Sequence, residues 1–379
     1  MQHREYQICN NCIMDTSDSK IIFDDDGQCD HCNNFYVNIL PNWHPDENSE
    51  KEIMEIAEKI KKYGKNKTHD CIIGVSGGID SSYLTDIAVE KMGLRPLLYH
   101  VDAGWNTRQA VSNIEGMVGY YNVDLHTDVI NWKEMQDLQL SFFKAQVSTT
   151  DTPQDHAFFS SLYNFAVKNK FKYVLTGANY STECIREPLE WTYHTSDLRQ
   201  TLDIHKKFGK RKLKTFPTAD ILKFKIYYRF VKGLKVVKPL NYFPYKMKAA
   251  AGTLSKKYGW MPYKQKHHES RFTRFNESYW LPNKFGFDKR KTHYSSLILT
   301  GQMTREEALQ DMQKLPYDPE SIEDDFEYMA TKLGIEVEEL RAIMDAPNKK
   351  YSDYKNKMWL LSLGTLVLKL LGEEKGNFR

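Results

Sequence analysis

A chain of 379 residues has length enough for two or three domains with ample core, and 53 Lys+Arg against 50 Asp+Glu leave a formal charge of +3, too near balance to mark the whole chain as a nucleic-acid binder. Residues 1–5 lack the apolar core of a secretion signal, and the apolar run at 359–371 is too short to span a bilayer and includes Lys369, so a cytoplasmic protein without membrane insertion is expected. Four of the six cysteines crowd into the first 32 residues, which in a reducing compartment suits metal better than disulfides.

Those four, Cys9, Cys12, Cys29 and Cys32, form two C-x2-C pairs with sixteen residues between them, the spacing of a four-thiolate zinc site. Between the pairs, Asp24-Asp25-Asp26-Gly27 carries the Asp-Gly signal of a hairpin turn, so residues 1–45 are expected to form a zinc ribbon. A module of about forty residues cannot bury enough surface to fold alone, and a closed metal site supplies the missing stability. With every position taken by a thiolate, the zinc has no open coordination site for catalysis.

A linker follows at 41–46. Ile53, Ile56, Ala57 and Ile60 then mark one face of a helix that starts near Ser49 and ends near Gly64. The next apolar run, Cys71-Ile72-Ile73-Gly74-Val75, turns through Ser76-Gly77-Gly78-Ile79-Asp80-Ser81-Ser82 into a second helical pattern at Leu84, Ile87 and Ala88. Gly77 and Gly78 let the main chain approach an anion, the hydroxyls of Ser76, Ser81 and Ser82 add donors, and the helix start adds partial positive charge. No lysine lies in this loop, and neither the Walker nor the dinucleotide glycine pattern matches it.

The loop resembles, letter for letter, the S-G-G-x-D-S signature of the PP-loop ATP pyrophosphatases. That resemblance implies ATP cut between its α and β phosphates, with pyrophosphate held by the loop. It also implies an adenine nucleotide alpha hydrolase-like fold. The residues agree: further strands at 95–102, 123–129 and 172–176, with helices between them, predict a doubly wound parallel α/β sheet with its ligand at the carboxyl strand ends. The resemblance places adenine and ribose against the second and fourth strand ends, making Val101, Asp102 and Gly177 candidates; Asp102 and Asn179 serve equally well as strand-end turn residues. Asp80 is the expected Mg²⁺ ligand, because a tetra-anionic nucleotide needs a hard cation.

Cys71 is expected to be a small buried strand residue, and Cys184 is isolated. A basic run at 205–214 is expected as a mobile surface loop, with docking of an acidic partner or a nucleotide-linked substrate as the other reading. Helices are expected at 221–231 and 247–258, an extended stretch at 236–241, and a helical region from Met303 to about Leu371. Residues 258–290 interleave cations, aromatics and the pair His267-His268 without clean periodicity, which reads as the wall of a site. The expected organisation is a zinc ribbon at 1–45, an ATP-binding domain at 46–240 and a substrate-binding, mainly helical region at 241–379.

With its zinc ribbon, PP-loop and the blocks Lys266-His267-His268-Glu269-Ser270-Arg271-Phe272-Thr273-Arg274-Phe275 and Lys284-Phe285-Gly286-Phe287-Asp288-Lys289-Arg290, the whole chain resembles the N-acetyl sugar amidotransferases of the WbpG and PseA type, which act in bacterial surface-polysaccharide biosynthesis (O-antigen lipopolysaccharide or flagellin nonulosonic acids). The resemblance implies conversion of an acetamido group on a sugar, nucleotide-linked or nonulosonic, to an acetamidino group through an adenylated intermediate attacked by ammonia. For that chemistry Lys266, Arg271, Arg274, Lys289 or Arg290 are candidates to hold the α-phosphate or a substrate anion, and the general base for ammonia is left unassigned among His267, His268 and Glu269. Residue 2 is Gln, so there is no amino-terminal cysteine nucleophile after loss of Met1, and a separate glutaminase similar to the glutaminase and cyclase pair of imidazole glycerol phosphate synthase is expected to supply ammonia. Two other readings remain: a tRNA-thiolating enzyme, which needs sulfur-handling cysteines near the ATP site, and a non-catalytic ATP-binding scaffold. No nucleic-acid partner is expected on the first reading.

Overall fold

A computed structural model describes residues 5–370, with side chains as far as Gly364; residues 1–4 and Leu371, on which part of the leader and span expectations rest, lie outside it. At the start, the four cysteines sit on two tight turns, the second running into helix α1 (Asp30–Asn34). The expected hairpin at 24–27 is present but reduced to a single antiparallel bridge, Phe23 to Cys29, and a second bridge, Ile8 to Asp15, closes the turn that carries Cys9 and Cys12. Gly27 closes its turn at φ +75, and a Cβ there would come within 2.4 Å of the Asn10 amide, so both the backbone and the space demand glycine. Asp46 caps helix α2 (Glu47–Gly64), accepting from the Asn48 and Ser49 N–H groups, and Ile53, Ala57 and Ile60 turn inward.

The sheet has five parallel strands in the order β3-β2-β1-β4-β5: β1 (Cys71–Gly74), β2 (Pro96–Asp102), β3 (Leu125–Val129), β4 (Tyr173–Leu175) and β5 (Lys235–Val237). Between them run α3 (Ile79–Asp86), α4 (Arg108–Tyr121), α5 (Trp132–Lys144) and α6 (Thr152–Lys168). The strand order reverses beside β1, where β2 and β4 flank it, and this opens a crevice at the carboxyl end of β1. Alternation along β1 sends Ile72 to one core and Cys71 and Ile73 to the other, so helices cover both faces.

After β4 come a single turn, α7 (Tyr180–Glu183), helix α8 (Leu198–Phe208) and the helical segment Lys223–Val231. Past β5, α9 (Met247–Tyr258) packs Ala250 and Leu254 beside β1, whereas Phe272, Phe275 and Trp280 join the opposite core. The C-terminal helices are α10 (Arg271–Phe275), α11 (Leu281–Phe285), α12 (Arg290–Leu299), α13 (Arg305–Met312), α14 (Ile322–Leu333), α15 (Val337–Asp345) and α16 (Met358–Leu370). Trp280 meets Phe143 of α5 edge-on at 4.7 Å, one of several aromatic contacts joining this region to the sheet. Among the described residues no helix is long and apolar enough to cross a membrane.

The basic run departs from the mobile loop expected of it. The Asp137 carboxylate accepts N–H groups from Lys210 and Arg211 at 3.0 Å, and Glu134 accepts those of Lys214, Thr215 and Phe216 at 2.8 to 3.0 Å. Two carboxylates on α5 thus fix the backbone, while the Lys206, Lys210, Arg211 and Lys212 side chains remain exposed.

Candidate functional site

The crevice beside β1 opens into a cavity of about 2230 Å³ that reaches from the glycine loop to the cysteine module and α12. Gly77 stands at φ +81, where a Cβ would lie 2.6 Å from the Ala110 carbonyl. Its own carbonyl accepts hydrogen bonds from Asn113 Nδ2 (3.2 Å), Trp260 Nε1 (3.2 Å) and Tyr263 OH (3.3 Å), so the segment after α9 holds the loop from one side. Ser81 Oγ donates to the Gly78 carbonyl at 3.2 Å and accepts from the Ser76 N–H at 3.3 Å. Ser76, Gly78, Asp80 and Ser81 border the cavity, and Ser82 is buried behind them.

Asp80, in the first turn of α3, is the centre of a closed group. Oδ1 accepts from Tyr245 OH (2.7 Å) and Asn179 Nδ2 (3.1 Å), and Oδ2 pairs with Lys266 Nζ at 3.1 Å. Lys266 also reaches Glu183 Oε1 at 2.7 Å and Thr182 Oγ1 at 3.1 Å. Burial alone would raise the Asp80 carboxyl, but Lys266 and the Tyr245 hydroxyl hold it below the ordinary carboxylate range. Burial likewise works against the Lys266 ammonium, and Asp80 and Glu183 more than reverse it. Gly177 lies so close that a Cβ would meet the Asp80 backbone at 3.0 Å, while Asn179 Oδ1 caps α7 through the Thr182 N–H (2.9 Å). Asn179 thus has the turn chemistry expected of a strand end and also touches Asp80.

Other predicted residues fall elsewhere. Val101 is buried within β2, and the Asp102 carboxylate accepts the Gly104 N–H at 2.7 Å, the turn chemistry of a strand end; neither borders the cavity. Arg271 and Arg274 point away from the loop, both pairing with Asp325 of α14 (3.1 and 2.6 Å), and Arg271 also lies 3.8 Å from the Tyr328 ring centroid. Arg290 borders the cavity but is clamped by Asp288 at 2.6 Å and donates to the Lys314 carbonyl at 2.9 Å. Lys289 does reach the cavity wall, but Asp151, Glu187 and Glu277 surround its Nζ at 3.3, 3.2 and 3.1 Å. Its charge is consumed there. Burial raises the Asp155 and Glu277 carboxyls next to it.

The two adjacent histidines diverge. His267, at φ +65, is exposed on the cavity side, whereas His268 is 8% exposed, contacts Ser278 Oγ at 3.2 Å and is lowered to about 4 by burial and by Arg274. Glu269 turns onto the loop, accepting the Ser76 hydroxyl at 3.0 Å and standing 2.9 Å from where a Gly78 Cβ would be. Two histidines escaped the sequence reading. His100 donates from Nδ1 to the Val75 carbonyl (2.9 Å) and accepts from Asn106 at Nε2 (2.8 Å), stiffening the strand before the loop. His293, on α12, borders the cavity with Nε2 lacking a hydrogen-bond partner, and burial with nearby Lys266 lowers it to about 3. A single histidine on a strand or a helix carries no local signal of either role.

The four cysteine sulfurs lie within 4.8 Å of one another, with contacts of 3.8, 3.7 and 3.6 Å. A tetrahedral ion bound at about 2.3 Å requires sulfurs about 3.8 Å apart, so the cage fits one ion of zinc size. Backbone N–H groups of Asn11, Cys12 and Cys29 point at Cys9 Sγ (3.2 to 3.4 Å), as thiolates need. The Arg305 guanidinium binds the Cys9 and Cys12 carbonyls (2.8 and 3.0 Å), and Ser295 of α12 accepts the Ile13 N–H, fastening the module to the cavity wall. Cys184 packs against this module with its thiol raised to about 12 by burial, and Cys71 is wholly buried; neither borders the cavity.

Residues 269–366 match the family described as LPS biosynthesis protein WbpG-like, C-terminal domain. Uncharacterized protein MJ1599 of Methanocaldococcus jannaschii is 34% identical over 119 residues, 31% of this chain and 40% of that protein, so the chain spans well under half of this relative's length. Among solved structures, a U34-tRNA thiolase, NcsA from Methanococcus maripaludis with its 4Fe-4S cluster, is 14% identical, with 65% of this chain and 78% of that one covered at TM-score 0.31. An NMN synthetase from Francisella tularensis is also 14% identical, with 59% and 99% covered at TM-score 0.29. Likenesses this distant bear on no functional point. The chain thus carries its S-G-G-x-D-S loop at the end of β1 of a parallel α/β sheet, and its residues 269–366 match the WbpG-like C-terminal domain family.

Proposed function

We propose that this chain is an ATP-dependent amidotransferase that turns an acetamido group of a sugar into an acetamidino group during surface-polysaccharide biosynthesis. The observation that carries the reading is Lys266. A phosphate loop without a lysine receives one from the stretch just before the WbpG-like match, held by Asp80 and Glu183 at the loop's mouth. Loop N–H groups, the Ser76 and Ser81 hydroxyls and the α3 start receive the β- and γ-phosphates, and Lys266 neutralises charge at the bond that breaks. The amide oxygen attacks the α-phosphorus, and pyrophosphate leaves. Ammonia then adds to the imidate carbon, a proton is lost, and AMP departs with the former amide oxygen.

Mg²⁺ bound with the nucleotide supplies charge neutralisation on the departing pyrophosphate. Asp80 and Glu269 are the loop-side carboxylates that would border it, although Asp80 already accepts three donors. One zinc ion is the proposed occupant of the cysteine cage. Ammonia is proposed to come from a separate glutaminase, and the ATP co-substrate with a reduced thiolate cage suits a cytoplasmic setting. Thiolation is disfavoured by the positions of Cys71 and Cys184, since neither sulfur borders the cavity.

The test is incubation of the purified chain with ATP, Mg²⁺, ammonium and a panel of acetamido sugars, both nucleotide-linked and nonulosonic. Product mass must show oxygen replaced by NH, and the nucleotide product must be AMP with pyrophosphate. ADP with orthophosphate sinks the reading.

A further inference from the structure

We propose that the face made by Leu222, the helical segment Lys223–Val231, β5 and the first turns of α16 docks on an anionic lipid bilayer surface. Leu222, Ile226, Tyr227, Phe230 and Val231 share that segment's outer side at exposures of 44, 50, 37, 70 and 65%. Val236 on the edge strand β5 is 45% exposed, and on α16 Trp359 and Leu363 stand at 64 and 50%. The starts of the two helical elements lie together: Lys357, just before α16, pairs with Asp220, just before the other segment, at 3.3 Å. A concentration of apolar side chains of this kind on one surface marks a site of contact with something other than water.

The charge around it says what that something is. From Ile204 to His268 the chain has a single acidic residue, Asp220, already engaged by Lys357 and by the Lys223 N–H (2.9 Å). Lys225, Arg229, Lys232 and Lys235 are exposed around the apolar residues, and among the described residues none forms an ion pair. The Arg229 guanidinium carbon lies 5.2 Å from the Phe230 ring centroid and Lys232 Nζ 5.3 Å from that of Tyr227, so cations and apolar rings of this face are interleaved.

A second copy of this chain would bring like cations together with no acid to neutralise them. A nucleic acid would use the cations and leave Leu222, Ile226, Val231 and Leu363 without a role. An anionic bilayer accepts both, headgroups taking the cations and the acyl boundary taking the apolar residues. No described helix is long and apolar enough to cross it, so the contact proposed is with the surface.

The test is cosedimentation of the full chain with vesicles of phosphatidylcholine alone and with about one-third phosphatidylglycerol, at low and raised salt. Binding to the anionic vesicles is expected to be at least about tenfold tighter than to neutral ones and to weaken with salt. Phe230→Ser and Lys232→Ser are each expected to lower partition about fivefold, with unchanged thermal melting because both sites are exposed. Trp359 is expected to move its emission to the blue on vesicles, a change absent in Trp359→Phe. Equal partition to both vesicle types overturns the proposal, as does indifference to Phe230→Ser. So does dimerisation that Phe230→Ser abolishes, or binding of an RNA homopolymer in place of vesicles.

Discussion

Replacing Lys266 with Met removes the ammonium and keeps the length of the side chain. Asp80 and Lys266 have side chains only 17 and 9% exposed, so the variant leaves a buried carboxylate facing Tyr245 and Asn179 with no cation. Breaking one side of such a pair costs about 3 kcal/mol, a large share of the roughly 10 kcal/mol by which a folded protein is stable. A second effect falls on the nucleotide: losing a charge-assisted contact worth about 2 kcal/mol weakens ATP about thirtyfold. Urea unfolding and calorimetric ATP titration read the two separately. The double variant Asp80→Asn, Lys266→Met should recover most of the stability, because the lone charge is gone, but not the ATP affinity. Additive stability losses in that cycle would refute the pairing, and ATP binding within about twofold of the parent in Lys266→Met would refute the phosphate role.

The remaining expectations concern pH, the cysteine cage and the loop. His268 is lowered from an ordinary value near 6.5 to about 4, so the unfolded chain binds a proton before the folded one does. Its contribution is complete above about pH 6.5 and is lost as pH falls towards 4, a drop on the order of 3 kcal/mol that His268→Gln should flatten in melting curves across that range. Cys29→Ser should abolish tight binding of one zinc per chain by metal analysis and lower the melting temperature, because the module and α12 are fastened to each other. Retention of stoichiometric metal would contradict the cage. Glu269→Gln removes an anion resting on the Ser76 hydroxyl, and should tighten pyrophosphate binding several-fold in titration calorimetry. Weaker binding would instead make Glu269 a metal ligand.

Features carried by a few consecutive residues could be read before any coordinates. The glycine loop after β1, the paired cysteines, the Asp-Gly turn and the strand and helix positions depend on local dihedral freedom, sulfur spacing and apolar period, all of which are written along the chain. The ends of β2, β3 and β4 differed from expectation by one or two residues, as fraying hydrogen-bond ladders allow, whereas the stretch expected to be extended over 236–241 is a strand only at Lys235–Val237 and turns helical at Pro239–Asn241, where proline ends the ladder. What a long charged side chain touches was another matter. Lys266, Arg271, Arg274, Lys289 and Arg290 form a single basic cluster on the page, yet they end against five different settings: Asp80 and Glu183, Asp325 with Tyr328, Asp325 alone, three carboxylates, and Asp288 with a helix-end carbonyl. Charge at such a position is a property of one residue, whereas its partner comes from elements up to nearly two hundred residues away, placed by the packing of both cores onto the sheet. For the same reason His293 gave no hint of itself: its meaning lies in the α12 face the cysteine module presses against the cavity, and that arrangement exists only once the chain has closed on itself.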